Sequence, residues 1–139
     1  MEDSRYHEPS CYLITYNECH EEPMDNHKLV LPEHLNHYGY LFGGYLLQWV
    51  DEYAWIAATL EYPGQNFVTV AMDRVEFKKS VRQGTILRLN IEKARQGTTS
   101  VQYRVHVYRR PTQEPGEDLI FSTHVTLVCI DEQGRKKAL

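Results

Sequence analysis

The sequence predicts an α+β domain in which one long apolar helix is wrapped by a curved antiparallel sheet. Three observations lead there. From Tyr45 to Leu60 almost every residue is a helix former or a large apolar side chain. Beyond the helix come several runs in which apolar and polar residues alternate. Glycine, proline and polar clusters mark the boundaries between these segments.

The helix belongs to the stretch Leu31 to Glu61, which opens as a polar loop. Pro32 removes a backbone donor and keeps helix from starting there. Gly39, Gly43 and Gly44 allow tight turns and close approach to the backbone. Leu46, Leu47, Trp49, Val50, Tyr53, Ala54, Ile56, Ala57, Ala58 and Leu60 cover most of the circumference. A helix apolar nearly all round is expected to be buried. Pro63-Gly64 ends it. Asp51 and Glu52 are the anomaly inside it, because interior carboxylates are rare unless paired or used. Either they form the one wet stripe of the helix, or Asp51 is functional. Glu52 fits a structural or interface carboxylate.

The strands follow from parity. Lys28 to Leu31 reads as a short strand feeding the loop. In Phe67 to Phe77, Val68, Val70 and Met72 share one parity and Val75 and Phe77 the other. The switch near Asp73-Arg74 predicts a bulge or strong bend. Lys78 to Gly84 is a basic turn. Leu87, Leu89 and Ile91 alternate with Arg88, Asn90 and Glu92, and Gln96-Gly97-Thr98 reads as a hairpin turn. Val101, Tyr103, Val105 and Val107 form the next inward row, and Phe121, Val125, Leu127 and Cys129 the last. The expected plan is a short strand, the helix, then four long strands joined by hairpins. The far face of the sheet and the edge of the last strand need cover, which favours subunit pairing. Residues 28–130 form the domain, preceded by an N-terminal extension (1–27) and followed by a tail (131–139) whose basic part, Arg135-Lys136-Lys137, is expected to be frayed. Within the extension, Cys11 to Tyr16 fits a strand. Cys19, His20, Glu21, Glu22, Asp25 and His27 are metal-ligand types, but their spacing matches no zinc or calcium pattern.

Composition narrows the function. With 139 residues, 42% hydrophobic and 24% charged, the chain suits one soluble globular domain. A net charge of -4 gives no field for nucleic acid. No apolar run is long enough to span a bilayer. The polar N-terminus lacks a secretory pattern, and three cysteines (Cys11, Cys19, Cys129) suit a reduced cytosol, so a cytoplasmic protein is expected. Ten tyrosines suit half-buried strands and interfaces.

The pattern resembles hotdog-fold acyl-CoA thioesterases of the bacterial short-chain and cytosolic acyl-CoA hydrolase type. The matching residues are Pro32, Asn36, Gly39, Leu41-Phe42-Gly43-Gly44, Leu47, Trp49 and Asp51-Glu52. The match continues through Val68-Thr69-Val70-Ala71-Met72-Asp73, Val75-Glu76-Phe77, Val81, Gly84 and Gly97-Thr98-Thr99-Ser100. It covers roughly Leu29 to Ile130. Two positions depart from the family: Ser80 stands where proline is usual, and Thr85 where aspartate is frequent.

The resemblance implies hydrolysis of an acyl-CoA thioester, with Asn36 and Asp51 as the catalytic pair and no cofactor or metal. Unpaired N–H groups at the helix start, at Gly43 and Gly44, suit the thioester carbonyl. Asn36 would orient the water or the carbonyl. Asp51 would act as general base or attack directly. Lys78, Lys79, Arg82 and Arg95 are candidates for the phosphates of coenzyme A, and Gly97, Thr98 and Ser100 for its pantetheine or phosphates. Two turns of helix, about 11 Å, separate Gly44 from Asp51. One carbonyl can hardly be served by both in one chain, so Asp51 is expected from a second protomer. A dimer is the minimum; the family also forms tetramers and hexamers. Two alternatives stand beside this one. One is a hydratase or dehydratase using His34 or His37; the other is a non-catalytic acyl-CoA-binding protein.

Overall fold

The structure is a computed structural model that describes residues 22–139. The strand expected at Cys11 to Tyr16, and Cys19, His20 and Glu21, lie outside the described residues. In chain order the elements are β1 (Met24–Leu29), a 3-10 turn (Pro32–His34), α1 (Gly43–Glu61), β2 (Asn66–Phe77), β3 (Ile86–Gln96), β4 (Ser100–Arg110) and β5 (Asp118–Ile130). The five strands form one antiparallel sheet in the order β1-β3-β4-β5-β2. The helix packs across one face of it, which is the hotdog arrangement.

Strand parity sets the core. Leu87, Leu89 and Ile91 of β3, Val101, Tyr103, Val105 and Val107 of β4, and Phe121, Val125, Leu127 and Cys129 of β5 all face the helix and are buried. These are the rows the alternation predicts. The helix meets them with Leu46, Val50, Ala54 and Ala58, spaced four apart on one stripe, together with Trp49.

Four expectations are corrected. First, α1 is not buried all round: among the described residues nothing covers its opposite face, with Trp55 44% and Leu60 69% exposed. Composition registers how apolar a helix is, but not how many sides a single chain covers. Second, β2 and β3 do not form a hairpin. β2 pairs with β5, so the Lys78–Thr85 segment crosses from one side of the sheet to the other. It passes beside the loop before α1, accepting a bond from Leu41 N–H at the Val81 carbonyl (2.8 Å) and exchanging bonds with Val30 from Gly84 and Thr85. The sheet edges are therefore β1 and β2, and β5 is interior. Third, β1 starts at Met24 and pairs along its length with β3, so strand pairing begins inside the segment expected to be an extension. Fourth, the tail folds back. Lys136 bridges Ile130, Lys137 N–H donates to Cys129, and Leu139 N–H donates to the Thr98 carbonyl.

β2 carries two irregularities. The expected one lies between Asp73 and Glu76, where Arg74 has φ 55°. A second falls at Val70, between Thr69 and Ala71. It places Phe67, Thr69 and Met72 opposite the buried Cys129, Leu127 and Val125, and leaves Val68 and Val70 outward. β2 thus presents an apolar edge that is unpaired among the described residues, with Val70 56% exposed.

On the polar face, Arg88 ties three elements together. It donates to Glu117 (2.6 and 3.2 Å) and to Asp25 (3.0 Å), and lies over the Tyr108 ring at 4.3 Å. Its hydrogen bonds hold Glu117 below the usual carboxylate range. Asp25 is lowered mainly by the Asn90 amide and then by Arg88. A carboxyl depressed in the folded state stabilises the fold above its unfolded pKa, and that contribution disappears as pH falls through the folded value. In urea titrations from pH 7 to pH 3, the native protein is expected to lose stability below about pH 4. Arg88→Ala is expected to be less stable at neutral pH and to show a flatter pH profile.

Candidate active site

The loop before α1 is built around Asn36. Its N–H donates to the Tyr40 carbonyl (2.7 Å), and its side-chain oxygen accepts from Tyr38 N–H (2.9 Å) and Tyr40 N–H (3.1 Å). Those two donors fix which end of the amide is oxygen. The Asn36 oxygen is therefore occupied by its own loop, and the group left for chemistry is the NH2 donor. Gly39 closes the turn with φ 84°.

Phe42 N–H donates to the His34 carbonyl (2.9 Å) and sets the start of α1. Among the described residues no side chain caps this end, and no acid lies in the first turn. The first N–H groups of a helix lack intrahelical partners and attract an oxyanion. Both glycines are crowded by aromatic rings, which a larger residue would have to push aside. A Cβ on Gly43 would lie 3.1 Å from the Phe77 ring, and one on Gly44 would lie 2.6 Å from the Phe42 ring.

Asn36 and Gly43 open onto one cavity of about 460 Å³. Its floor is apolar, from Leu41, Leu46, Phe77, Val81 and Ile120, and its rim carries Tyr40, Lys78, Lys79 and Ser80. Lys79 lies 3.5 Å from Asp118, which also accepts two bonds from Arg109 (2.9 and 3.1 Å). The Arg109 guanidinium, and then Lys79, hold that carboxyl below its usual range.

Asp51 does not line this cavity. It sits two turns further along α1, half-buried, and accepts a 2.5 Å hydrogen bond from the Thr69 hydroxyl. One turn beyond, Trp55 Nε1 donates to the Phe67 carbonyl (3.1 Å). Helix and edge strand therefore run antiparallel, with Gly43 near Phe77, Asp51 at Thr69 and Trp55 at Phe67. Glu52, the next residue, is exposed.

The remaining expected residues divide between two ends of the sheet. Lys78, Lys79 and Arg82 gather near Asn36 and Gly43, where Arg82 lies over the Tyr40 ring at 5.3 Å. Arg95, Gly97, Thr98 and Ser100 lie at the far end of β3 and β4, separated from them by a strand of about 33 Å. There Gly97 N–H donates to Ser100, and the Thr98 carbonyl is taken by Leu139. The expected coenzyme-binding set thus does not converge in one protomer, because a hairpin tip and a crossing segment occupy opposite ends of the same strand.

His34 is structural. It is buried, its Nδ1 accepts from Leu31 N–H (3.0 Å), and its ring meets Tyr45 and Trp49 edge-on at 5.0 and 4.8 Å. His37 stacks on Tyr38 at the exposed loop tip. Thr69 and Tyr40 were not anticipated as site residues. The available signal for Thr69 was a hydroxyl standing between Val68 and Val70, on the parity of Phe67.

Among the described residues no helix is long and apolar enough to cross a membrane. The profile of the Thioesterase superfamily matches residues 38–115. An uncharacterised acyl-CoA thioester hydrolase of Zymomonas mobilis is 32% identical over 107 residues, which is 77% of this chain and 71% of that protein. A second such protein, from Bacillus subtilis, is 28% identical, with 84% and 67% covered. An acyl-CoA hydrolase of Staphylococcus aureus, solved with butyryl-CoA, CoA and CoA disulfide, superposes with a TM-score of 0.76 at 29% identity, covering 84% of this chain and 70% of that one. A hexameric acyl-CoA thioesterase superposes at 0.77 with 32% identity, covering 84% and 74%. The one-helix, five-strand sheet, the uncapped glycine start of the helix and the extent of the profile match agree: this chain belongs to the thioesterase superfamily.

Proposed function

We propose that the protein hydrolyses acyl-CoA to a free carboxylic acid and coenzyme A, at a site completed by two protomers. The observation that carries this is the position of Asp51. It is fixed by Thr69 at the open β2 edge, about 12 Å along the helix from the Gly43 end of the same chain. A base must come within about 3 Å of its proton, directly or through one water. A second antiparallel helix brings its own Asp51 opposite the Asn36 and Gly43 cradle. Homo-oligomers among the structural relatives support such an assembly. Arg95, Gly97, Thr98 and Ser100 reach this site only from another protomer.

In this site the carbonyl oxygen rests on the Gly43 and Gly44 N–H groups and the Asn36 NH2, which stabilise negative charge as it develops. Asp51 of the partner takes the proton of an attacking water, or attacks the carbonyl carbon to give an anhydride that water then opens. Either way the carbon–sulfur bond breaks and the coenzyme A sulfur leaves, taking up a proton. Variants of the S. aureus hydrolase have been solved with an asparagine or an aspartate replaced by alanine; these stand fifteen residues apart, as Asn36 and Asp51 do here. A cytosolic location fits the same substrate.

In a thiol-release assay with acyl-CoA, Asp51→Asn is expected to lower kcat by about 10²- to 10⁴-fold, the range for loss of a general base. Refolding Asn36→Ala together with Asp51→Ala is expected to restore up to one working site per mixed dimer, and no recovery refutes the shared site. Thr69→Val is expected to cost at least about tenfold in kcat, as loss of a hydrogen bond to a charged group does, with Thr69→Ser recovering most of it.

A further inference from the structure

The crossing segment (residues 78–85) is pinned at both ends by backbone bonds. Lys78 N–H donates to the Ile120 carbonyl (2.8 Å). At the other end Gly84 N–H donates to the Val30 carbonyl (2.8 Å), and Val30 N–H to the Thr85 carbonyl (3.0 Å). Between those ends Lys78, Lys79, Ser80 and Val81 wall the cavity beside Asn36 and Gly43. The middle of the segment is gripped from two sides. The Val81 carbonyl accepts from Leu41 N–H (2.8 Å), and the Ser80 carbonyl accepts from Arg109 Nη1 (3.0 Å). Among the described residues, the Arg109 contact is the one side-chain hydrogen bond to the backbone of this segment.

That contact is built in advance. Arg109 and Asp118 stand directly opposite each other on β4 and β5. Asp118 Oδ2 accepts from Arg109 Nε and Nη2 (3.1 and 2.9 Å), which fixes the guanidinium plane and leaves Nη1 aimed at Ser80. Lys79 lies 3.5 Å from the same oxygen. With its side chains 30% and 43% exposed, such an ion pair adds little to stability, so its effect falls on where the segment lies. From Ser80 the contacts run inward. Val81 follows it in the chain and holds Leu41, and Leu41 bridges Leu35 across the turn that contains Asn36. Tyr40, which holds both the N–H and the side chain of Asn36, precedes Leu41, and Phe42, which sets the start of α1, follows it.

Resting on the thioesterase reading above, we infer that Arg109 and Asp118 are positioning residues for the reaction: Asp118 aims Arg109, Arg109 holds Ser80, and the held segment keeps the Asn36 NH2 at its place beside the helix start. Neither residue touches the reacting atoms. Without the latch, the segment stays pinned at its ends and loosens in the middle, where it supports Leu41. A donor that stabilises the developing oxyanion then loses its fixed position, which costs kcat while KM is kept.

Amide hydrogen exchange, followed by NMR, tests the latch apart from any activity. In Arg109→Ala, Leu41 N–H is expected to exchange about tenfold faster, the scale of one charge-assisted hydrogen bond. Val30 N–H, bonded to the pinned end of the same segment, is expected to exchange at the native rate. In the thiol-release assay, Arg109→Ala and Asp118→Ala are each expected to lower kcat about tenfold with KM nearly unchanged, and Arg109→Lys to recover part of the loss. The double variant is expected to be no slower than the slower single one, because the two residues act in series. Native exchange at Leu41, or equal acceleration at Leu41 and Val30, overturns the latch. Faster exchange at Leu41 with native kcat, a loss confined to KM, or additive losses in the double variant overturn the positioning role and leave the thioesterase reading intact. No turnover of acyl-CoA by the native protein removes that reading and the positioning role together.

Discussion

The rest of the structure depends on the rigid spacing between the start of α1 and Asp51. Eight residues of helix separate Gly43 from the carboxylate, and a helix cannot shorten that distance without breaking its backbone hydrogen bonds. The edge strand runs antiparallel along the same span. Phe77 crowds the glycine end, and Thr69 holds the acid. The glycines, the crossing segment and the Asn36 loop all gather at the start of the helix. The acid sits apart from them, beside a strand edge that no described strand of the same chain pairs with.

What was legible in the sequence was local. Helix limits, the inward rows of β3, β4 and β5, and the bulge near Asp73-Arg74 follow from periodicity within ten or so residues. What was not legible depends on pairing between distant segments. Nothing local says that β2 lies beside β5 and not β3, that Lys136 returns to Ile130, or that β1 extends back to Met24 through the polar Asp25, Asn26 and His27. The last case has a physical reason. Asp25 and His27 face outward on an edge strand, where polar side chains cost nothing, so their polarity disguised a strand as a loop.

The site was half legible for a related reason. Asn36 and His34 are both polar residues in a polar loop, and composition cannot rank them. Hydrogen-bond geometry does. The ring nitrogen of His34 and the amide oxygen of Asn36 are both used by backbone N–H groups, but the histidine is walled in by Tyr45 and Trp49, whereas Asn36 opens onto a cavity. With His34 walled in and His37 at the exposed loop tip, neither histidine lines the cavity, which weakens a hydratase-like role for this loop. Thr69 escaped notice because a threonine in a strand is ordinary; only its inward parity, set by a bulge at Val70, brings it to Asp51.

The apolar excess of α1 has its explanation in the same geometry. A helix that needed only to cover the sheet would be apolar along Leu46, Val50, Ala54 and Ala58 and polar elsewhere. Here Trp55, Leu60 and Phe42 remain exposed, and the neighbouring β2 edge adds Val68 and Val70. Asp51 lies along the border between this open apolar surface and the strand edge. On the proposed reading, the surface that joins two protomers is also the one that brings Asp51 to its cradle. An isolated protomer then holds both halves of the machinery with neither half complete, and association and catalysis answer to the same buried area.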